Sequence, residues 1–186
     1  RAVDDQRADT VIADNLAGAR IAVELLADNG HQRITFVSGL RRVESGAERL
    51  DGYELSMKAH GFQPHVAQGD FRVDAAHEAV AQALASPERP SALIVGNNLM
   101  TIGALGAIRE AGLRIPEDVA IVAFDDPLWA GLINPPLTTL AQPVRRMAAE
   151  AMEILLERVG GSRSEPRRTV HTFELRVRSS CGTAAG

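Results

Sequence analysis

The sequence predicts an α/β protein built on a doubly wound parallel sheet with helices on both faces. Three observations carry this expectation. Short runs such as Ala92–Val95 and 119–124 are apolar at every position, the state of strands buried on both sides of a parallel sheet. Between such runs, apolar residues recur every three or four positions, the period of one helical face. Strand-like and helix-like stretches alternate along most of the chain, with glycines at the junctions.

Taken in order, Ile12, Leu16, Ala19, Val23 and Leu26 lay an apolar stripe along a first helix, which Gly30 stops. A β-rich run follows at 34–37. Leu50, Tyr53 and Met57 mark a second helix, 47–60, ending near Gly61, and 64–67 is a weak strand. Val73, Ala76, Val80 and Leu84 mark a third helix before the strand Ala92–Val95. A helix rich in small residues, 100–111, is closed by Gly112 and followed by the strand 119–124. The order breaks after Asp126. Thr138–Ala141 is a short strand or crossing segment, and Pro143 suits the first turn of a helix, where its missing N–H costs nothing. Val144, Met147, Ala151 and Leu155 are expected on that helix's buried face. Gly160, Gly161 and the polar run to Arg168 form a loop, and 170–177 alternates as an edge strand does.

The 186 residues, 45% of them hydrophobic, fit one globular domain or two small lobes. A net charge of −4, from 24 acidic and 20 basic residues, lacks the basic excess of a free-standing nucleic-acid binder, so a DNA role would need residues outside the chain. The single cysteine, Cys181, permits no intrachain disulfide and favours a reducing compartment; a cytoplasmic location is expected. No apolar run approaches the roughly 18–20 residues of a membrane span, and no signal peptide is visible, although the chain opens on Arg1 rather than Met. There is no GxGxxG, Walker A, GxSxG or CxxC motif, and His77-Glu78 lacks the second histidine of a zinc protease signature. No catalytic group, metal or cofactor is expected.

Ligands of open parallel sheets bind beyond the carboxyl ends of the strands. Those ends carry Ser38-Gly39 with the Arg-rich loop 41–49, Gly96-Asn97-Asn98, and Asp125-Asp126. Adjacent strand residues point to opposite sides, so the two aspartates cannot easily act as a dyad or grip one metal. Either one faces the cleft while the other orients the following turn, or both are turn formers. A carboxylate at that mouth suits the hydroxyls of a polyol. Asn98 is expected to cap the following helix, leaving Asn97 for the cleft. Arg49 is either a cleft residue or a solvated surface arginine, and Phe71 either a core ring or a stacking platform. His31 serves its turn rather than a metal; Trp129 lines the cleft, an interface or the core; Thr138 and Thr139 satisfy backbone groups.

The strings DNLAGARIAVELLADNGHQRITFVSG (14–39), ERLDGYELSMKAHG (48–61), ALIVGNNLMTIGALGAIREAGLRIPEDVAIVAFDD (92–126), PPLTTLAQP (135–143) and LRVRSS (175–180) together resemble the LacI-type transcriptional repressors. The resemblance implies a periplasmic-binding-protein-like core in which two α/β lobes close over a small effector, commonly a sugar, in a protein that dimerises and reads operator DNA through a helix-turn-helix headpiece. By position, Arg49, Asn97 and Asp125 match the family's effector contacts, Phe71 its stacking aromatic, and Gln142 an effector-binding residue at a lobe crossing. Asn98 stands where aspartate is usual. The headpiece and the start of the first lobe are expected to lie outside the chain. Residues 1–30 then form a remnant of the N-terminal lobe, 31–140 the C-terminal lobe, 141–160 a crossing segment and N-lobe helix, and 161–186 a return strand and tail. The expected partners are a small sugar-like effector, operator DNA only through the headpiece, and a second copy of the chain, with no membrane. A periplasmic sugar-binding protein of a transport system is the alternative with the same lobe, and an enzyme on the same sheet is a third class.

Overall fold

The computed structural model describes residues 8–161 and 165–182. The expectations for 1–7, for 162–164 of the polar loop and for 183–186 of the tail lie outside the described residues. The elements run β1 (Thr10–Ala13), α1 (Asn15–Asp28), β2 (Ile34–Ser38), α2 (Glu44–Ala59), β3 (His65–Gln68), α3 (Val73–Ala85), β4 (Ala92–Val95), α4 (Asn98–Glu110), β5 (Ala120–Phe124), β6 (Thr138–Ala141), α5 (Val144–Val159), β7 (Arg168–His171) and β8 (Glu174–Arg176).

A six-stranded sheet has the order β3-β2-β4-β5-β6-β8, parallel except for the antiparallel edge strand β8. The chain steps outward from β2 to β3, then crosses back past β2 to β4, β5 and β6. This reversal makes the sheet doubly wound, and it falls between β2 and β4. Strands β2, β4, β5 and β6 are buried at every residue, the all-apolar β4 and β5 as their sequences require and β2 and β6 with Thr35, Ser38, Thr138 and Thr139 among the buried residues.

Alternation along each strand builds two cores. Ile34, Phe36, Ile94, Val122 and Phe124 face α1 and α2. Val37, Leu93, Val95, Ile121 and Ala123 face α3 and α4. Each large side chain so buried contributes about 1.5–3 kcal/mol over its exposed state. Tyr53 of α2 stacks on Phe36 at 5.2 Å, and its hydroxyl lies 2.8 Å from the Ile34 carbonyl oxygen. Burial pushes that phenol up to about 12, with a smaller opposing pull from the His65 backbone and a further push from Glu54. Gly30 ends α1 at φ 88°, a left-handed conformation that glycine adopts freely, and delivers His31 into β2's approach.

A second sheet is the parallel pair β1-β7, with α5 beside β1. Three expectations are corrected by this arrangement. Helix α1 does not belong with a remnant formed by 1–30; Ala19, Ala22, Val23 and Leu26 are fully buried against the six-stranded sheet, while Ile12 lies one element earlier, in β1. The 170–177 edge strand is two strands. Its first half joins β7 to β1, and after Thr172-Phe173 its second half, β8, pairs with β6. On α5 the expected buried face fails: Val144 is 64% and Leu155 53% exposed, and Ile154 is the residue of the helix that is buried.

Candidate functional site

The strand registers line up the carboxyl ends. Val37, Val95 and Ala123 are level across β2, β4 and β5, and Phe124 is level with Leu140 of β6. The chain therefore leaves the sheet on one line, at Ser38-Gly39, Gly96-Asn97, Asp125 and Ala141-Gln142.

Arg49 reaches this line from α2 and is only 6% exposed. Its guanidinium carbon lies 4.3 Å from the centroid of the Phe124 ring and 5.7 Å from that of Phe173, two rings set edge to face at 5.2 Å. Such cation–π contact is worth about 0.5–2 kcal/mol. Nε donates to Asn15 Oδ1 at 2.8 Å, and Nη1 donates to the Gly96 carbonyl. Burial lowers the guanidinium's pKa, opposed by the charges of Asp125 and then Glu48. Nη2 makes no hydrogen bond to any described residue, so the fork has donors to spare.

Asp125 turns off the end of β5 at φ 73°, a region aspartate tolerates better than most residues. Its Oδ2 accepts from the Asn98 backbone N–H at 3.1 Å and its Oδ1 from Gln142 Nε2 at 2.7 Å. Asn98 opens α4, so the carboxylate satisfies an otherwise orphan helix donor at the positive end of the helix dipole. Asp126 borders the same 640 Å³ cavity as Asp125 but has other partners, and because Asp125 has already left the strand the difference comes from the turn rather than from strand alternation. It accepts from Thr139 Oγ1 at 2.7 Å, from Arg178 Nη1 at 2.8 Å and from Arg176 Nη1. Desolvation would raise its pKa, but these hydrogen bonds prevail and hold it below the ordinary carboxylate value. Asp125 thus joins the start of α4 to Gln142, while Asp126, on the same cavity, ties β5, β6, β8 and the segment after it together.

Gln142 lies between two cavities. One, of 260 Å³, is lined by Asn15, Ser45, Glu48, Arg49 and Gln142. The other, of 640 Å³, is lined by Asn98, Asp125, Gln142, Arg146 and Arg176 among others. Larger or comparable hollows of 510 Å³ along edge strand β3 and 720 Å³ beside the end of α4 lie away from this convergence.

The structure therefore joins Asp125 to Gln142, and Gln142 also borders the cavity that Arg49 lines. Asn97 departs from expectation. Its backbone is extended (φ −166°) and its Oδ1 accepts from Met100 N at 2.9 Å, so Asn97 is the cap. Asn98 is already the first helical residue, cannot reach back to cap, and lines the 640 Å³ cavity instead. The cap occupies only Oδ1, and the Asn97 amide nitrogen donates to no described residue. Phe71, at φ 60°, lays its ring on Gly39, 2.1 Å from where a Cβ would stand, and lines neither cavity. The His31 ring bonds outside its own turn, to distant segments: Nδ1 lies 3.1 Å from Ser91 Oγ and Nε2 2.8 Å from the Gly182 carbonyl. Trp129 is half-buried against the core under α3 and α4. Among the described residues, no group of side chains could hold a metal ion, and no helix is long and apolar enough to cross a membrane. Asn15, Asn98 and Phe173 were missed. Asn15 sits beside the cap Asp14, and an Asp-Asn pair at a helix start carries no signal that distinguishes a cap from a binding residue.

The sequence profile of the periplasmic binding protein-like domain matches residues 23–181. The HTH-type transcriptional regulator CelR of Thermobifida fusca is 35% identical over 181 residues, which are 96% of this chain and 53% of CelR. The HTH-type transcriptional repressor CytR of Escherichia coli K12 is 34% identical over 174 residues, covering 92% of this chain and 51% of CytR. Among solved structures, a transcriptional regulator CelR–cellobiose complex superposes with a TM-score of 0.87 at 34% identity, over 96% of this chain and 56% of that one. A lac repressor dimer bound to operator and the anti-inducer ONPF gives a TM-score of 0.87 at 28% identity, over 97% of this chain and 55% of that one. The chain spans about half the length of the curated relatives it matches. These relatives are transcriptional regulators and repressors.

Proposed function

The chain belongs to the periplasmic binding protein-like domain family in its LacI-type branch of transcriptional regulators, and on that premise we propose that it forms the effector-binding core of a sugar-responsive regulator. The observation that carries the reading is the meeting of a buried arginine with spare donors and an aspartate at the carboxyl ends of β2, β4 and β5. A guanidinium and a carboxylate bordering two cavities that share Gln142 present donors and acceptors with little net charge, which suits a neutral polyhydroxylated molecule. Arg49 would donate to one hydroxyl and Asp125 accept from its neighbour, with Asn97 and Gln142 supplying amides. Phe71 would stack on the sugar face only after moving off Gly39.

In this reading β1, α5 and β7 belong to a second lobe, joined to the six-stranded lobe through 13–15, 141–144 and 171–174. A ligand with different affinity for two lobe arrangements shifts their populations, and coupling of about 1–3 kcal/mol is ordinary. Dimerisation would pass that shift to operator reading, which would reside in the part of the relatives' length that this chain does not span.

The test is a thermal-shift and calorimetric panel of cellobiose, other disaccharides, pentoses and nucleosides. A ligand binding only the native state at 100 times its Kd stabilises it by about 2.7 kcal/mol. At least one sugar is expected to raise Tm in the parent and to lose that effect in Asp125→Ala, with no turnover of the sugar. A panel without any shift, or a shift that survives Asp125→Ala unchanged, contradicts the reading.

A further inference from the structure

The geometry points to Asn15 as the positioning residue of the effector arginine, an inference that rests on Arg49 being the residue that meets the effector. Asn15 is the first residue of α1 and is only 7% exposed. Its amide is fully engaged. Nδ2 donates to Glu48 Oε2 at 2.8 Å and to the Ala13 carbonyl at 3.2 Å, while Oδ1 accepts from Arg49 Nε at 2.8 Å. Only one amide orientation satisfies all three partners, since a flip would set the NH2 group against the Arg49 Nε–H. Glu48 thus fixes the amide, and the amide fixes the arginine.

The second anchor of Arg49 is the Gly96 carbonyl, and its remaining neighbours are the faces of Phe124 and Phe173. Aromatic faces permit a guanidinium to turn within its own plane. One anchored nitrogen leaves a pivot, whereas two fix the rotation and leave Nη2 as the free prong. Gly96 holds Nη1, and Asn15 supplies the other anchor at Nε.

The helix crossing that makes this reach possible is built into the same sequence motif. A Cβ on Gly52 would stand 2.4 Å from the Leu16 carbonyl oxygen and 2.9 Å from Leu16 Cα. Gly52 follows Arg49 by three residues and shares its helix face. The missing side chain lets α2 press on the first turn of α1, where Asn15 stands. Ala13, the third partner of the amide, closes β1, in register with His171 of β7. The aim of Arg49 is therefore tied to the strand that leads in from the smaller sheet, and displacement of β1 would turn the guanidinium.

The experiment compares the parent chain with Asn15→Ala and Asn15→Asp. The readouts are the 15N–1H signal of Arg49 Nε with its solvent-exchange rate, cellobiose affinity by calorimetry, and Tm. Asn15→Asp keeps an acceptor for Nε but cannot donate to Glu48. In Asn15→Ala the Nε proton is expected to exchange at least about tenfold faster and the cellobiose Kd to rise about tenfold or more, as for loss of a hydrogen bond to a charged group. Asn15→Asp is expected to fall between the parent and Asn15→Ala in both readouts, since it keeps an acceptor for Nε but sets a carboxylate against Glu48 and the Ala13 carbonyl. If Asn15→Ala does not fold, Asn15→Ser carries the same expectation, because a serine hydroxyl is too short to reach Nε. Unchanged Nε exchange in the Ala or Ser variant overturns the inference. If the parent does not bind cellobiose, the effector reading fails for that sugar, and the Nε exchange still decides the positioning role.

Discussion

The two sheets of this molecule obey the same rules with opposite outcomes. In the six-stranded sheet every inner strand is buried and both faces carry helices. In the β1-β7 pair, Val170 is 49% exposed, and beside it α5 exposes Met152, Leu156 and Val159 at 55%, 62% and 77%. A parallel pair is the least self-sufficient sheet, since its strands need cover on both faces. The difference teaches that apolar periodicity tells which face of a helix wants burial but not whether a partner within the same stretch of chain supplies it.

Core truncation sharpens this contrast most. Phe124→Ala removes a ring packed between Arg49 and Phe173 and is expected to cost about 3–5 kcal/mol in urea unfolding. Leu155→Ala on α5 is expected to stay within about 0.5 kcal/mol, because the side chain is already exposed. Equal losses for the two variants would break the comparison. Next in size is Gly52→Ala, where the new methyl meets the backbone of Leu16 rather than a movable side chain. About 1–3 kcal/mol of destabilisation is expected, together with weaker sugar binding as α2 is pushed from α1.

The smallest expected effects are in pH dependence. Burial lowers the pKa of His31, with a lesser opposing contribution from the Gly182 carbonyl. A histidine held neutral contributes stability above its unfolded value of about 6.5, and that contribution is lost as pH falls through the lower folded value. Asp126, whose folded pKa is depressed, contributes above about 3.9, and its share is lost at still lower pH. Melting temperature against pH should therefore fall in two separate stages on acidification. Asp126→Asn should flatten the lower stage and leave the upper one in place. A single stage unaffected by that substitution would remove Asp126 from the account of how β5, β6 and the segment after β8 are held.

Much of the six-stranded sheet was legible because burial on both faces leaves no ambiguity in strands such as Ala92–Val95, and because Gly30, Gly61 and Gly112 mark helix ends at positive φ. Thr172-Phe173 was not legible as a break, since alternation continues through both β7 and β8 while the chain changes sheets. At the site, the different partners of Asp125 and Asp126 were not legible from strand alternation, because Asp125 already leaves the strand at φ 73°. Nor was the exchange of roles between Asn97 and Asn98, because it depends on which residue first adopts helical dihedrals. Asn15 was invisible because its partners lie 33 and 34 residues away on another helix.

The central claim is that polar side chains at the carboxyl ends of buried parallel strands hold a neutral polyhydroxylated effector. The most direct measurement is a crystal structure of the chain with the sugar that gives the largest thermal shift. The account predicts sugar hydroxyls within hydrogen-bonding distance, about 2.7–3.2 Å, of Arg49 Nη2 and an Asp125 carboxylate oxygen. A sugar lodged elsewhere, for instance in the hollow along β3, with Arg49 and Asp125 still bonded only to their protein partners, would contradict it.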